Sequence, residues 1–269
     1  MSKVIKTPLR YPGGKSRAVK KIMPLIPKFD EFREPFLGGG SIFIANKQEH
    51  PINSFWINDI YEELFCFWSQ LQNNTEILIS EIQKIFYKYK ELDDGKLLFE
   101  LMTKNNFQDE LEKAIKFFVL NRITFSGTIE AGGYSKGAFD SRFTQSSIER
   151  LKPFKNLLKG VKISSYDYSE LISKEGNNVF IFLDPPYYSA TKSKLYGKKG
   201  SLHTNFDHKR FAETIKSSKH NWLITYDNSE EIRSLYKDYN LIPWELQYGM
   251  NNYKQGSAPK GKELIITNF

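Results

Sequence analysis

The chain carries Asp184, Pro185, Pro186 and Tyr187 in a row, directly after Phe180-Ile181-Phe182-Leu183. A short apolar run closed by proline reads as a buried strand that stops at the acid. Each proline fixes φ and lacks an N–H, so the chain must leave the sheet there as a stiff turn. One carboxylate, two peptide carbonyls and an aromatic ring are then held in one rigid unit at the C-terminal edge of a sheet, where open α/β folds place their chemistry. Taken alone, the same residues also fit a plain strand end with a surface acid.

Other chemistry-bearing residues stand at other turns. Arg10-Tyr11-Pro12-Gly13-Gly14-Lys15-Ser16 presents a lysine at the start of a helix running to about Met23. A helix N-terminus with a lysine beside it attracts carboxylates and phosphates. Gly14-Lys15-Ser16 is not a nucleotide-binding P-loop, because Leu9 occupies the position of that motif's first glycine. Glu34-Pro35-Phe36-Leu37-Gly38-Gly39-Gly40-Ser41 takes a short strand through a glycine turn into a helix. The full G-x-G-x-x-G signature is not met, since Phe43 stands at its third glycine. Yet Trp56-Ile57-Asn58-Asp59 follows as a second strand ending in an acid, roughly 20 residues past the turn, the place from which an acid reaches ribose hydroxyls. Tyr166 and Asp167 end a further strand and could flank an adenine ring.

Two stretches could meet a polyanion. Residues 121–139 are rich in Gly, Ser and Thr with interleaved aromatics and bases, and read as a glycine-punctuated hairpin or loop able to reach base edges. The loop after Tyr187 contains Lys192, Lys194, Lys198 and Lys199 among aromatics, which suits a phosphate backbone as well as it suits plain solvation.

The elements that must position these residues follow from periodicity. Strands alternate with helices up to Asp59. From Tyr61 to Leu158 that rhythm stops, and Glu62–Leu71, Thr75–Glu91, Glu110–Asn121 and Ser146–Leu158 carry helical spacing. Strands return at Val161–Asp167, Phe180–Asp184 and Asn221–Asn228, with a helix over Asp207–Ser217, and Leu241–Tyr248 with Lys262–Thr267 closes the fold as a hairpin. The expected architecture is α/β, with a catalytic domain built from residues 1–60 and 159–269 and an inserted, mainly helical domain at 61–158.

Composition narrows the function classes. At 269 residues with 40% hydrophobic content a real core can form, and the net charge of +8 suits a polyanionic partner. No run of about 18 apolar residues is present, and the N-terminus lacks a signal-peptide core, so a cytoplasmic protein is expected. One cysteine, Cys66, excludes an internal disulfide and a cysteine-rich metal site.

Set beside Phe36-x-Gly38-x-Gly40, Asp184-Pro185-Pro186-Tyr187 makes the sequence resemble the S-adenosylmethionine-dependent amino-methyltransferases. More narrowly it is similar to the Dam-type DNA adenine-N6 methyltransferases, the D12 class. The resemblance covers nearly the whole chain in that group's order, from Arg10–Lys15 through Glu34–Ser41, Asn58-Asp59, Leu120-Asn121-Arg122 and Asp184–Tyr187 to Glu263-Leu264-Ile265-Ile266. It implies a Rossmann-like methyltransferase sheet with a target-recognition insertion. It implies that Asp184, Pro185, Pro186 and Tyr187 are catalytic, and that S-adenosylmethionine, with no metal, is held by Tyr11, Lys15, Phe36, Gly38, Gly40, Asp59, Tyr166, Asp167 and Asp184. Double-stranded DNA in a bacterial or phage-infected cell is the implied partner, and a restriction endonuclease paired with the enzyme would be a second. Arg10, Asn121, Arg122 and Thr128, with Lys192, Lys194 and Lys198, are the expected DNA contacts. The rivals are methylation of cytosine N4 or of RNA, and a catalytically silent nucleic-acid-binding relative.

Overall fold

Alternation along the strands places the core on both faces of one sheet. In Val179–Leu183, Phe180 and Phe182 join one apolar cluster while Val179, Ile181 and Leu183 join the other. Successive side chains of a strand point to opposite faces, so a strand apolar throughout must be covered twice. The computed structural model describes residues 4–188, 206–246 and 261–269. Its sheet has seven strands: β1 (Glu31–Glu34), β2 (Ser54–Asn58), β3 (Lys162–Ser164), β4 (Val179–Leu183), β5 (Asn221–Asp227), β6 (Asn240–Leu246) and β7 (Gly261–Thr267). Their order is β3-β2-β1-β4-β5-β7-β6. β1 to β5 pair in parallel, and β7 runs antiparallel between β5 and β6. This is the Rossmann-like sheet that the resemblance implies. The strand order reverses between β1 and β4, so the chain leaves their C-terminal ends in opposite directions and opens a crevice there.

Helices cover the faces. α1 (Val19–Ile22) follows a short 3-10 turn at Lys15–Arg17, and α2 (Ser41–Glu49) follows the glycine turn. Between β2 and β3 come α3 (Glu62–Asn73), α4 (Thr75–Glu91), α5 (Gly95–Lys104), α6 (Glu110–Ile123), α7 (Lys136–Arg142), α8 (Gln145–Glu149) and α9 (Phe154–Leu157). α6 is buried from Ala114 to Ile123, so it runs through the middle of this helical segment. α10 (Tyr168–Ser173), α11 (His208–Lys216) and α12 (Glu230–Leu235) supply the second face.

Three expectations change in detail. The single helix expected over 146–158 is two short helices, because Thr144 and Ser147 cap α8 reciprocally and Pro153 supplies no N–H to continue it. α5 had no counterpart among the expected helices; Asp94 starts it by accepting from Leu97 N at 2.9 Å. The expected hairpin or loop at 121–139 is the end of α6, two 3-10 turns and the start of α7, tied by one antiparallel bridge between Thr124 and Tyr134.

Candidate active site

The crevice between β1 and β4 is where the site forms. β4 ends at Leu183, and Asp184 projects from the next position with about a fifth of its side chain exposed. Lys15, only 4% exposed, reaches it from the N-terminal turn: its ammonium lies 2.6 and 2.7 Å from the two carboxylate oxygens. The same ammonium donates to Gly13 O at 3.1 Å and sits 5.0 Å from the centroid of the Tyr187 ring. Thr225, on β5 and fully buried, donates to Asp184 Oδ1 at 2.8 Å. An N–H donor is therefore already seated against Asp184 and the face of Tyr187.

β1 ends at Glu34, and the chain then turns through Gly38 and Gly40, with φ of +50° and +66°. Those angles favour glycine. A Cβ at Gly38 would lie 2.8 Å from the Tyr11 ring, so Tyr11 packs flush on this turn. Gly38 N donates to Asp59 Oδ2 at 2.8 Å and Tyr61 N donates to Oδ1 at 3.1 Å. Burial pushes the Asp59 carboxyl up to about 6, against those two N–H donors. Glu34, 2% exposed, keeps Oε2 without a partner. Burial first, and then the charge of Asp184, hold its carboxyl well above the ordinary range. The carboxyls of Asp184 and Asp59 thus stand close enough to Glu34 for their charges to act on it, with the Lys15 ammonium offsetting part of that repulsion.

The remaining expected cofactor residues stand at the next strand end. Asn58 ties β2 to the turn after β3: its amide donates to Pro35 O and Tyr166 O, and its Oδ1 accepts from Tyr166 N. Tyr166 is 53% exposed. Asp167 caps α10 through Ser169 N and pairs with Arg210 at 2.8 and 3.1 Å. Phe36 packs its ring on Tyr168, Phe206 and Phe211 at 5.5 to 5.8 Å, forming an aromatic wall beside them.

The expected DNA residues take different positions. Asn121 is fully buried; it accepts from Arg10 N at 3.0 Å and donates to Arg10 O at 2.8 Å. It holds the Arg10 backbone in place. Thr128 is 8% exposed and donates to Phe125 O at 2.7 Å. Arg122 is 3% exposed, lies over Phe118 at 5.2 Å and leaves Nε without a partner. Burial, then the charges of Arg150, Arg10 and Arg142, lower its guanidinium to about 9. Arg10 is half-buried and is lowered by burial and by Arg142. Lys192, Lys194 and Lys198 lie outside the described residues. Sequence spacing singled out neither Thr225 nor Glu34 as a site residue. The acid just before Pro35-Phe36 was the available signal for Glu34.

Among the described residues there is no cluster of three or more metal-ligating acids, histidines or cysteines, and no helix long and apolar enough to cross a membrane. A type II methyltransferase, M.MjaIII of Methanocaldococcus jannaschii, is 26% identical over 98% of this chain and 99% of its own. The type II methyltransferase M1.LlaDCHI of Lactococcus lactis is 26% identical over 97% and 94%. A DNA adenine methylase of Vibrio cholerae is 23% identical over 87% and 85%. A family model for the D12 class N6 adenine-specific DNA methyltransferases matches residues 11–250, and with the Asp184–Tyr187 turn beside a glycine turn on a Rossmann-like sheet, the chain belongs to that family and is an adenine-specific DNA methyltransferase.

Proposed function

We propose that the Asp184–Tyr187 turn is the place of transfer, with S-adenosylmethionine as donor and a base flipped from double-stranded DNA as acceptor. The observation that carries this reading is the Lys15 ammonium, an N–H donor held at once by the Asp184 carboxylate and against the Tyr187 ring. An exocyclic amino group needs the same two things: acceptors for its hydrogens and a face to stack on. The adenine amino nitrogen is a poor nucleophile, because its lone pair is delocalised into the ring, and inside a duplex it is stacked out of reach. Asp184 accepts one N6–H and the carbonyl of Pro185 accepts the other. Both acceptors favour a more tetrahedral nitrogen and stabilise the positive charge that develops on it. Pro185 and Pro186 keep these groups from moving, and a preorganised pair gains most in a direct displacement between two bound partners. Lys15 yields its place at Asp184 as the amino group arrives.

The crevice fits the donor. Glu34 Oε2 is buried without a partner, and the nearby charges of Asp184 and Asp59 act on it, which suits a ligand carrying a sulfonium and an ammonium group. S-adenosylmethionine bound there supplies an electrophilic methyl group. Tyr11, Lys15, Phe36, Gly38 and Gly40 line its path, Asp59 holds hydroxyls, Tyr166 and Asp167 flank a purine, and Asp184 borders the methyl-bearing end. Residues 1–60 and 159–269 form the catalytic domain, and 61–158 serve as the target-recognition insertion. The exposed Arg142 and Arg150 give that insertion positive charge at its surface, with the half-buried Arg10 of the catalytic domain close by, an arrangement suited to phosphates. We place the enzyme in the cytoplasm, where DNA is found. Relatives named modification methylases, StsI and LlaI, support a restriction–modification setting.

The test is to incubate the protein with methyl-labelled S-adenosylmethionine and amplified, methyl-free DNA, then digest to nucleosides. Label in N6-methyldeoxyadenosine supports the reading. Label in N4-methyldeoxycytidine, or none, overturns it.

A further inference from the structure

Tyr187 is held from its far edge. Its hydroxyl donates to the carboxylate of Glu263. Glu263 is 2% exposed and lies on β7, opposite Asp227 of β5 and Trp244 of β6. A buried carboxylate is costly unless it is bonded, so its place against a catalytic ring calls for a reason. The neighbouring strand gives one. Thr225 of β5 donates to Asp184 at 2.8 Å, and Asp227 of β5 accepts from Tyr188 N at 2.8 Å. β5 and β7 thus brace successive parts of one turn: its carboxylate, its ring and its outgoing backbone.

We propose that Glu263 is a positioning residue for methyl transfer, fixing the tilt of the Tyr187 ring through its hydroxyl and enriching the ring face in electrons. This rests on the reading that the target adenine stacks on Tyr187. The face of an aromatic ring attracts cations, and the Lys15 ammonium already lies 5.0 Å from this ring's centroid. The amino nitrogen acquires positive charge beside that same face as it accepts the methyl. A phenol that donates to a carboxylate is more electron-rich than one that donates to water, so Glu263 strengthens the attraction where charge develops.

The test compares Tyr187→Phe, Glu263→Gln, their combination and Tyr187→Ala. Single-turnover rates are read on amplified, methyl-free DNA at saturating S-adenosylmethionine, with cofactor affinity measured separately. Tyr187→Phe and Glu263→Gln should each slow transfer about tenfold, the scale of one charge-assisted hydrogen bond, with cofactor affinity nearly unchanged. The combination should be no slower than either alone, because both act on one charge-assisted bond, Tyr187→Phe by removing its donor and Glu263→Gln by removing its charge. Wild-type rates for Tyr187→Phe, or effects that multiply in the combination, overturn the proposal. Should Glu263→Gln fail to fold, Tyr187→Phe decides alone, since it removes only the hydroxyl. Tyr187→Ala separates the two layers. A wild-type rate there overturns the stacking reading itself, whereas a slow Tyr187→Ala beside a fast Tyr187→Phe overturns only the role of Glu263.

Discussion

Cofactor affinity should titrate through Asp59. Its carboxyl, pushed up to about 6 by burial, is offset only in part by the N–H groups of Gly38 and Tyr61. A ribose hydroxyl donates best to the ionised form, so binding favours carboxylate over acid. At about pH 5 roughly a tenth of the free protein carries Asp59 ionised, and affinity should be about tenfold weaker than at pH 8, or ~1.4 kcal/mol. Ligand-free stability must run the other way. A folded-state value raised above the ordinary 3.8 stabilises the fold at low pH, and that contribution is lost as pH rises through about 6. Isothermal titration calorimetry in two buffers of different ionisation enthalpy reads both the affinity and the protons released. Near pH 5, binding should release close to one proton. Asp59→Asn keeps the shape and one acceptor, but sets an amide N–H against one of the two backbone donors. It should bind weakly at every pH and show no step near 6. An affinity flat across pH 5 to 8 in the natural protein, or an unchanged step in Asp59→Asn, would refute the assignment.

Other outcomes follow from single contacts. Gly38→Ala combines a left-handed φ with a Cβ 2.8 Å from the Tyr11 ring, and should weaken cofactor binding at least tenfold by equilibrium titration while most of the fold survives. Gly127→Ala is more severe, because φ is +74° and the Cβ would lie 2.3 Å from the backbone oxygen of Arg10. It should cost about 2 kcal/mol or more, a fall of several degrees in Tm, together with weaker DNA binding. DNA affinity should fall steeply from low to physiological salt in a filter-binding titration, with a log–log slope set by the phosphates neutralised; a flat response would contradict the cationic-surface reading.

How much of this was legible in the chain depends on the range of each interaction. Phe180–Leu183 announced itself as a buried strand, and Pro185 fixed where it had to stop; both are local rules, and the structure keeps them. The glycine turn before α2 was local as well, since Gly38 and Gly40 both take positive φ. The pairs that turn these endings into a site are not local. Lys15 meets Asp184, Asn121 clamps Arg10, and Glu263 meets Tyr187, all across long stretches of chain. No periodicity reports such pairs, so the bonds of Asn121 to Arg10 and of Lys15 to Asp184 cannot be read from the local sequence. The 121–139 stretch misled for a related reason. Its glycines and hydroxyls serve 3-10 turns packed on α6, with Ser126 and Ile129 at φ of +53° and +52°, where the composition reads as a glycine-punctuated hairpin or loop.

The most direct test of the central claim is Asp184→Asn, which keeps the side chain's shape and removes its charge. Lys15 would then sit buried with Gly13 O and one amide oxygen in place of its carboxylate. Stability should fall by roughly 1–3 kcal/mol, less than for a fully buried pair because Asp184 keeps some exposure. Cofactor binding should persist. Single-turnover formation of N6-methyldeoxyadenosine should drop about 10²- to 10³-fold, the scale of removing one preorganised acceptor from a site of developing charge. A folded Asp184→Asn variant that methylates adenine within tenfold of the natural protein would contradict the account.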